Sequence, residues 1–285
     1  MISITAINYL LKSKLNTLYI KDIKLLSSNG EYLTCLINDE YIFNIIINPD
    51  INQKNSNDTI NTINNKISIK TPKIEFSFIS DDVVIKGYKK IDGVPLNTNI
   101  FNLMPKEKQD KLIKDIVAFL KELHNIDNDN HKNTNDKEKM IQEIAYIKEN
   151  IYDFLSQNEK KYIDSFLDYL NQIPTLITTN CLSHNSLQYS RFIINEDNEL
   201  VGVVGFDELD YAPIYVDYIA LLEDEEIGSK IIHESGLDLE TIKQYKEISD
   251  RYYPIKIIYY GIKKNRNDIV EKGRRQIDSK QKKID

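Results

Sequence analysis

Cysteine is nearly absent from this chain: its 285 residues include two, Cys35 and Cys181. Two thiols exclude a disulfide framework and a cysteine-rich zinc site, and nothing calls for an oxidising compartment. Long apolar runs are missing as well. The most apolar stretch, Tyr41–Ile47, is interrupted by Asn44 and is far too short to cross a bilayer. The opening MISITAINYLLKSKL lacks a basic start, an apolar run and a small-residue cleavage site, so a cytoplasmic protein without a signal peptide is expected. Positive charge is in deficit too. Lys and Arg number 37 against 44 Asp and Glu, a formal charge of −7. Nucleic acid, which demands a basic face, is therefore not an expected partner, and neither is a membrane. A small cationic ligand suits the acidic balance, although net charge speaks first to solubility.

What is present is enough apolar material, 41%, for a substantial core in one large domain or two lobes. Residues 3–13 carry Ile4, Ile7, Leu10 and Leu11 at helical spacing. Strands are expected over 20–25, Tyr32–Ile37 and Tyr41–Ile47, with SSNGE as the first turn, because Asn-Gly is a strong hairpin signal. Residues 51–65 are polar and almost without apolar anchors, and a mobile segment is expected there. Ile74, Phe76 and Phe78 alternate as a strand, followed by another over 83–86. From Ile100 the pattern turns helical. Pro105 opens a helix whose apolar stripe is Leu112, Ile116, Phe119, Leu120 and Leu123, and His124 closes it. Residues 127–136 read as a polar linker, with helices expected over 138–155, 160–170, 215–223, 239–253 and 255–264. Asp238 suits the N-cap of the fourth. The Lys- and Arg-rich tail from Lys263 reads as a solvated helical end.

The centre of the chain is the stretch 182–217. It gives a loop, a strand at Phe192–Ile194, a polar turn over 195–199, a strand over 200–204 and an acidic loop. Here LSHNSLQYSRFII is followed by GVVGF, and further upstream stand Tyr41-Ile42-Phe43-Asn44-Ile45 and GYKKIDGVPL. Together these phrases resemble the aminoglycoside phosphotransferase family, most of all its 2''-phosphotransferase branch, over about residues 5 to 270. The resemblance implies an α+β, two-lobed, protein-kinase-like fold. A small lobe of antiparallel sheet would span 1–87, and a larger helical lobe 88–285.

The departures from the family pattern carry the functional reading. The catalytic Asp position falls on Ser186, the two metal-binding positions on Arg191 and Gly205, and the phosphate-binding Lys position on Asn44. In the flap, both usual glycines are replaced, by Ser27 and Asn29, and Gly30 lies one place late. No Glu occurs from Tyr41 to Ile74 to take the Lys partner's part. A hydroxyl cannot accept a proton as a carboxylate does, and a positioned base is worth about 10²–10⁴ in rate. A guanidinium repels a divalent cation, which needs oxygen ligands. His184 is present, and Asp217 best matches the Asp that helps it hold the loop.

The resemblance thus implies a catalytically degenerate, pseudokinase-like protein that acts by binding, with no cofactor and no metal. The alternative is an active small-molecule phosphotransferase using ATP or GTP with magnesium, its metal held by a shifted site at Asp207 and Glu208. If a nucleotide binds, Gly87, Tyr88, Ile193 and Val204 would face it. An internal ion pair between Arg191 and Asp207 is the expected filling of the vacated metal site. The acidic run Glu223-Asp224-Glu225-Glu226 would either gather a polyamine-like sugar or form an exposed helix end.

Overall fold

The computed structural model describes residues 4–15, 18–28, 32–49, 60, 63–126, 133–174 and 176–281. The expected turn at 29–31, most of the polar segment 51–65 and residues 127–132 of the expected linker lie outside these. The chain forms two compact units. One comprises Met1–Asp129, Cys181–Ala212 and Val216–Gly236, the other Asn130–Asn180, Pro213–Tyr215 and Leu237–Asp285. The class is α+β, with an antiparallel sheet early in the chain and mostly helices after it. Among the described residues no helix is long and apolar enough to cross a membrane.

In the first unit, Ile23–Ser28 (β1), Tyr32–Ile37 (β2), Tyr41–Ile47 (β3), Ile74–Ile79 (β4) and Val83–Lys89 (β5) form one antiparallel sheet in the order β1-β2-β3-β5-β4. Asn38 and Asp39 take positive φ in the β2–β3 hairpin, a conformation that short polar side chains tolerate. The period of two sorts the side chains onto opposite faces. Leu33, Cys35, Ile37, Phe43, Ile45, Val83 and Ile85 point to a core closed by Ile7 and Leu11 of the helix Ile4–Lys14. Thr34, Leu36, Ile42, Asn44 and Tyr88 point the other way and line a cleft. Strand β5 continues to Lys89, beyond the expected end at 86, because Gly87 and Tyr88 pair with both neighbours.

A second, three-stranded sheet joins Val94–Pro95 to the hairpin Phe192–Ile194 and Leu200–Val203. It lies beside the helix Lys106–His124, whose Phe119 makes an edge-on contact with Phe192. The strands Val94–Pro95, Asn133–Asn135, Ile177–Ser183 and Asp210–Pro213 carry no apolar alternation that would announce them.

The second unit packs the helices Asp136–Asn150, Gln157–Gln172, Leu239–Lys263 and Asn267–Gln281 around Ile144, Ile147, Ile163, Phe166, Leu170, Ile255 and Ile258. One expectation fails here and one holds in part. Residues 239–253 and 255–264 are one helix, with Pro254 inside it. Proline removes one backbone hydrogen bond. The helix persists because Ile248, Tyr252, Pro254, Ile255 and Ile258 are all buried on its inner side. The basic tail is helical and largely exposed, as expected, but one side of it packs. Ile277 is fully buried, and Arg274 bonds Glu159 at 2.7 and 3.2 Å. Glu159 also completes a capping box with Ser156.

Candidate functional site

The loop after Leu182 is held from below by Asp217, in the first turn of the helix Tyr215–Leu221. This carboxylate is fully buried. It accepts the backbone N–H groups of His184 at 3.0 Å and Asn185 at 2.9 Å, and the Nε2 of His124 at 3.0 Å. Burial alone would raise its pKa. The His124 hydrogen bond, the two imidazoles and the His184 amide outweigh burial and hold the carboxyl below the usual range. Asn185 sits at φ 64, and its side-chain amide donates to the carbonyls of Glu208 and Asp210.

His184 touches Asp217 through its backbone; its ring turns elsewhere. Nε2 lies 3.0 Å from the Val204 carbonyl and must donate to it, so Nδ1 is left as an acceptor facing the Ser186 hydroxyl at 3.4 Å. The ring packs 4.7 Å from Phe206. Burial pushes its pKa down. His124 was not assigned a role from the sequence. Its signal was its place at the end of a strongly amphipathic helix, where it is buried.

Above the loop opens a cleft of about 700 Å³ within the first unit. Leu36, Ile42, Tyr88, Ile193 and Val204 make its apolar part; Asn44, Ser186, Arg191, Asp207 and Glu208 make its polar part. Tyr88, Ile193 and Val204, named from the sequence as nucleotide-facing, all line it. Gly87 does not. Its open side faces the core, where an added Cβ would meet the Phe43 ring at 2.4 Å.

The polar part brings Arg191, Gly205, Asn44 and Asp207 together. Gly205 has φ 89 in the left-handed region, and a Cβ there would meet Arg191 Nη1 at 2.6 Å and Cζ at 2.8 Å. The guanidinium therefore occupies the space that any side chain at 205 would need. Asp207 Oδ2 accepts from Asn44 Nδ2 at 2.8 Å, and Asn44 Oδ1 accepts from Thr34 at 3.2 Å. Glu208 accepts from the Tyr32 hydroxyl at 3.0 Å. The expected Arg191–Asp207 ion pair is not formed, because Asn44 takes the carboxylate instead. Among the described residues the buried Arg191 Nε has no hydrogen-bond partner.

Lys86, which the sequence reading passed over, lies opposite Asn44 in the β3–β5 register and is 1% exposed. Burial lowers its pKa, while Asp207 and Glu208 act to raise it. Burial likewise raises the Asp207 carboxyl, and Lys86, Arg191 and Asn44 partly counter this. Among the described residues no three His, Cys, Asp or Glu side chains converge. Asp207 and Glu208 are bonded to Asn44 and Tyr32, and the charges acting on Asp207 are Lys86 first and Arg191 after it. The run at 223–226 starts a helix: Asp224 caps it by accepting from Ile227 N at 3.0 Å, and Glu226 pairs with Lys230.

No protein-family model matches the chain. Solved structures do resemble it. Aminoglycoside 2''-phosphotransferase IIa in complex with gentamicin superposes with a TM-score of 0.74 at 23% identity, covering 97% of each chain. The GDP and kanamycin complex of the type IIIa enzyme gives 0.70 at 17%, covering 97% of this chain and 98% of that one. The streptomycin–ATP ternary complex of the type IIa enzyme gives 0.67 at 21%, covering 97% and 99%. Over nearly its whole length the chain has the fold of the aminoglycoside 2''-phosphotransferases.

Proposed function

We propose that this chain is a binding protein on a phosphotransferase fold, without phosphotransfer activity. One observation carries the reading: the Arg191 guanidinium fills the space beside Gly205 where a metal-holding carboxylate would stand. Transfer of a phosphoryl group depends on positioned metal ions, a base at the acceptor hydroxyl and a cation on the phosphates. Ser186 is no base, Asn44 carries no charge, and Asp207 is engaged by Asn44. The ligand class that suits the acidic surface is a small cation. A cytoplasmic setting goes with two free, buried cysteines.

A second reading has one observation in its favour. Lys86 is a buried cation one strand over from Asn44 and close enough to feel Asp207 and Glu208. It is where a relocated phosphate lysine would sit in an active, ATP- or GTP-using phosphotransferase with magnesium. The test is turnover. Full-length protein with magnesium and either ATP or GTP is assayed for nucleoside diphosphate release against gentamicin, kanamycin and streptomycin. No release above the protein-free rate is expected. Sustained, aminoglycoside-dependent release that a Lys86→Met change abolishes would replace the first reading with the second.

A further inference from the structure

We infer that a second cavity, lined by residues 64–92 of the first unit, is a binding site for a small, multiply charged anion. Such a site would stand whether or not phosphotransfer is lost.

The cavity has a volume of about 770 Å³, a size that suits a small molecule. Charge points to its occupant. Lys70, Lys73, Lys89 and Lys90 line it, all exposed, against one carboxylate, Asp92. This runs counter to a chain in which 44 acidic residues outnumber 37 basic ones. Lys89 lies 3.8 Å from Glu40. Among the described residues Lys70, Lys73 and Lys90 have no ion-pair partner. Like charges gathered around a hollow with apolar walls focus their potential into it. Ile67, Ile74 and Ile91 supply such walls.

The wall is also built, not merely charged. The Lys70 carbonyl accepts from Val203 N at 2.9 Å, and Lys70 forms an isolated parallel bridge with Gly202. That approach needs a glycine: a Cβ at 202 would lie 3.0 Å from the Lys70 carbonyl oxygen and 2.8 Å from Ile91 Cδ1. Ser68 donates through its N–H and its hydroxyl to Glu122 at 2.7 and 2.9 Å. Asn64 Nδ2 donates to the Pro72 carbonyl at 3.0 Å, and Asn64 Oδ1 accepts from the Thr71 hydroxyl. The neutral polar groups are thus spent on holding the wall, which leaves the ammonium groups to meet the occupant. A wall held in advance spares a ligand part of the ordering cost.

An ammonium is a compact point charge without the planar fork of a guanidinium. The cavity therefore reads density of negative charge, and phosphate and carboxylate groups both supply it. Lys90 and Ile91 also line the cleft, whereas Lys70 and Lys73 line the second cavity and not the cleft. Substitutions at Lys70 and Lys73 therefore report on the second cavity.

The test is calorimetric titration of the full chain with inorganic tripolyphosphate and, separately, with citrate. Binding of at least one is expected. Tripolyphosphate alone assigns a phosphate-bearing ligand, citrate alone a polycarboxylate, and both together charge density as the criterion. The double variant Lys70→Gln/Lys73→Gln should weaken binding by about fivefold or more. Lys114→Gln/Lys161→Gln removes the same charge at exposed positions elsewhere and should change affinity by less than about twofold. Raising salt from about 20 to about 200 mM should weaken binding by about threefold or more. No heat with either anion at millimolar concentration overturns the inference. So does a Lys70→Gln/Lys73→Gln affinity equal to the parent's, or an equal fall in the control pair. Should the double variant melt early, the single Lys70→Gln and Lys73→Gln variants decide by the same comparison.

Discussion

Beneath the central loop, every polar group in reach of Asp217 is matched. The carboxylate takes two backbone amides and one imidazole within 3.0 Å, and all of it is buried. On the cleft side of the same loop, Arg191 stands beside a glycine, its Nε unpartnered among the described residues, and Asp207 shares a single short contact with Asn44. The first cluster has the construction of a support: buried charge, complete hydrogen bonding, no access. The second has the construction of a place that meets something else: charge only partly answered, and a cavity above it. The difference teaches that loop geometry and loop chemistry are separable in this fold. The backbone path is set from below, while the groups facing the cleft are free to be non-catalytic.

The comparison breaks most visibly at Asp217. Asp217→Ala leaves two amides and His124 facing an empty buried space, and should cost about 3–5 kcal/mol. Urea midpoints measure it, and a loss below about 1 kcal/mol would mean the support role is misassigned. Acid should probe the same cluster. His184 and Asp217 are both held below their ordinary pKa values. Each therefore contributes stability that is full above its unfolded value, roughly 6.5 for His and 3.9 for Asp. As pH falls below about 6.5 the unfolded chain takes up the His proton first and stability declines; below about 4 the Asp contribution follows. In His184→Gln the upper part of that decline should vanish, which unfolding midpoints between pH 7 and pH 3.5 would reveal.

On the cleft side the effects should be smaller. Gly205→Ala puts a Cβ in the left-handed region and against Arg191, and should cost about 1–2 kcal/mol. In an Arg191→Ala background the cost should shrink, because only the backbone part remains. Equal costs in the two backgrounds would show that the guanidinium does not occupy that space. Asn44→Ala should be the mildest change, about 0.5–1.5 kcal/mol, the ordinary worth of a hydrogen bond. A loss near that of Asp217→Ala would place Asn44 in the supporting layer, not on the cleft wall.

Much of this was legible residue by residue. The helix Ile4–Lys14, strands β2 and β3, the hairpin strand Phe192–Ile194 and the helix closed by His124 all follow from periodicity and turn residues. The elements that escaped have physical causes. Ile177–Ser183 reads ITTNCLS, a polar run that becomes a strand through long-range pairing. Pro254 suggests a break between two helices, yet burial on one side keeps a single helix running through it. The basic tail looks solvated by composition and is largely exposed, yet Arg274 finds Glu159, 115 positions away. Within the site, the identities at Asn44, Ser186, Arg191 and Gly205 were readable, whereas the contribution of Lys86 was not. It depends on the register that sets β5 beside β3.

The order of residues alone determined which positions carry a carboxylate, an amide or a cation, and which face of each strand they take, because side-chain alternation is local. Only the tertiary structure decided that Asn44, and not Arg191, meets Asp207, and that the guanidinium rests against Gly205. It alone brought His124 to Asp217 across 93 positions. Contacts between distant residues depend on how whole elements pack, and no short-range pattern encodes that distance.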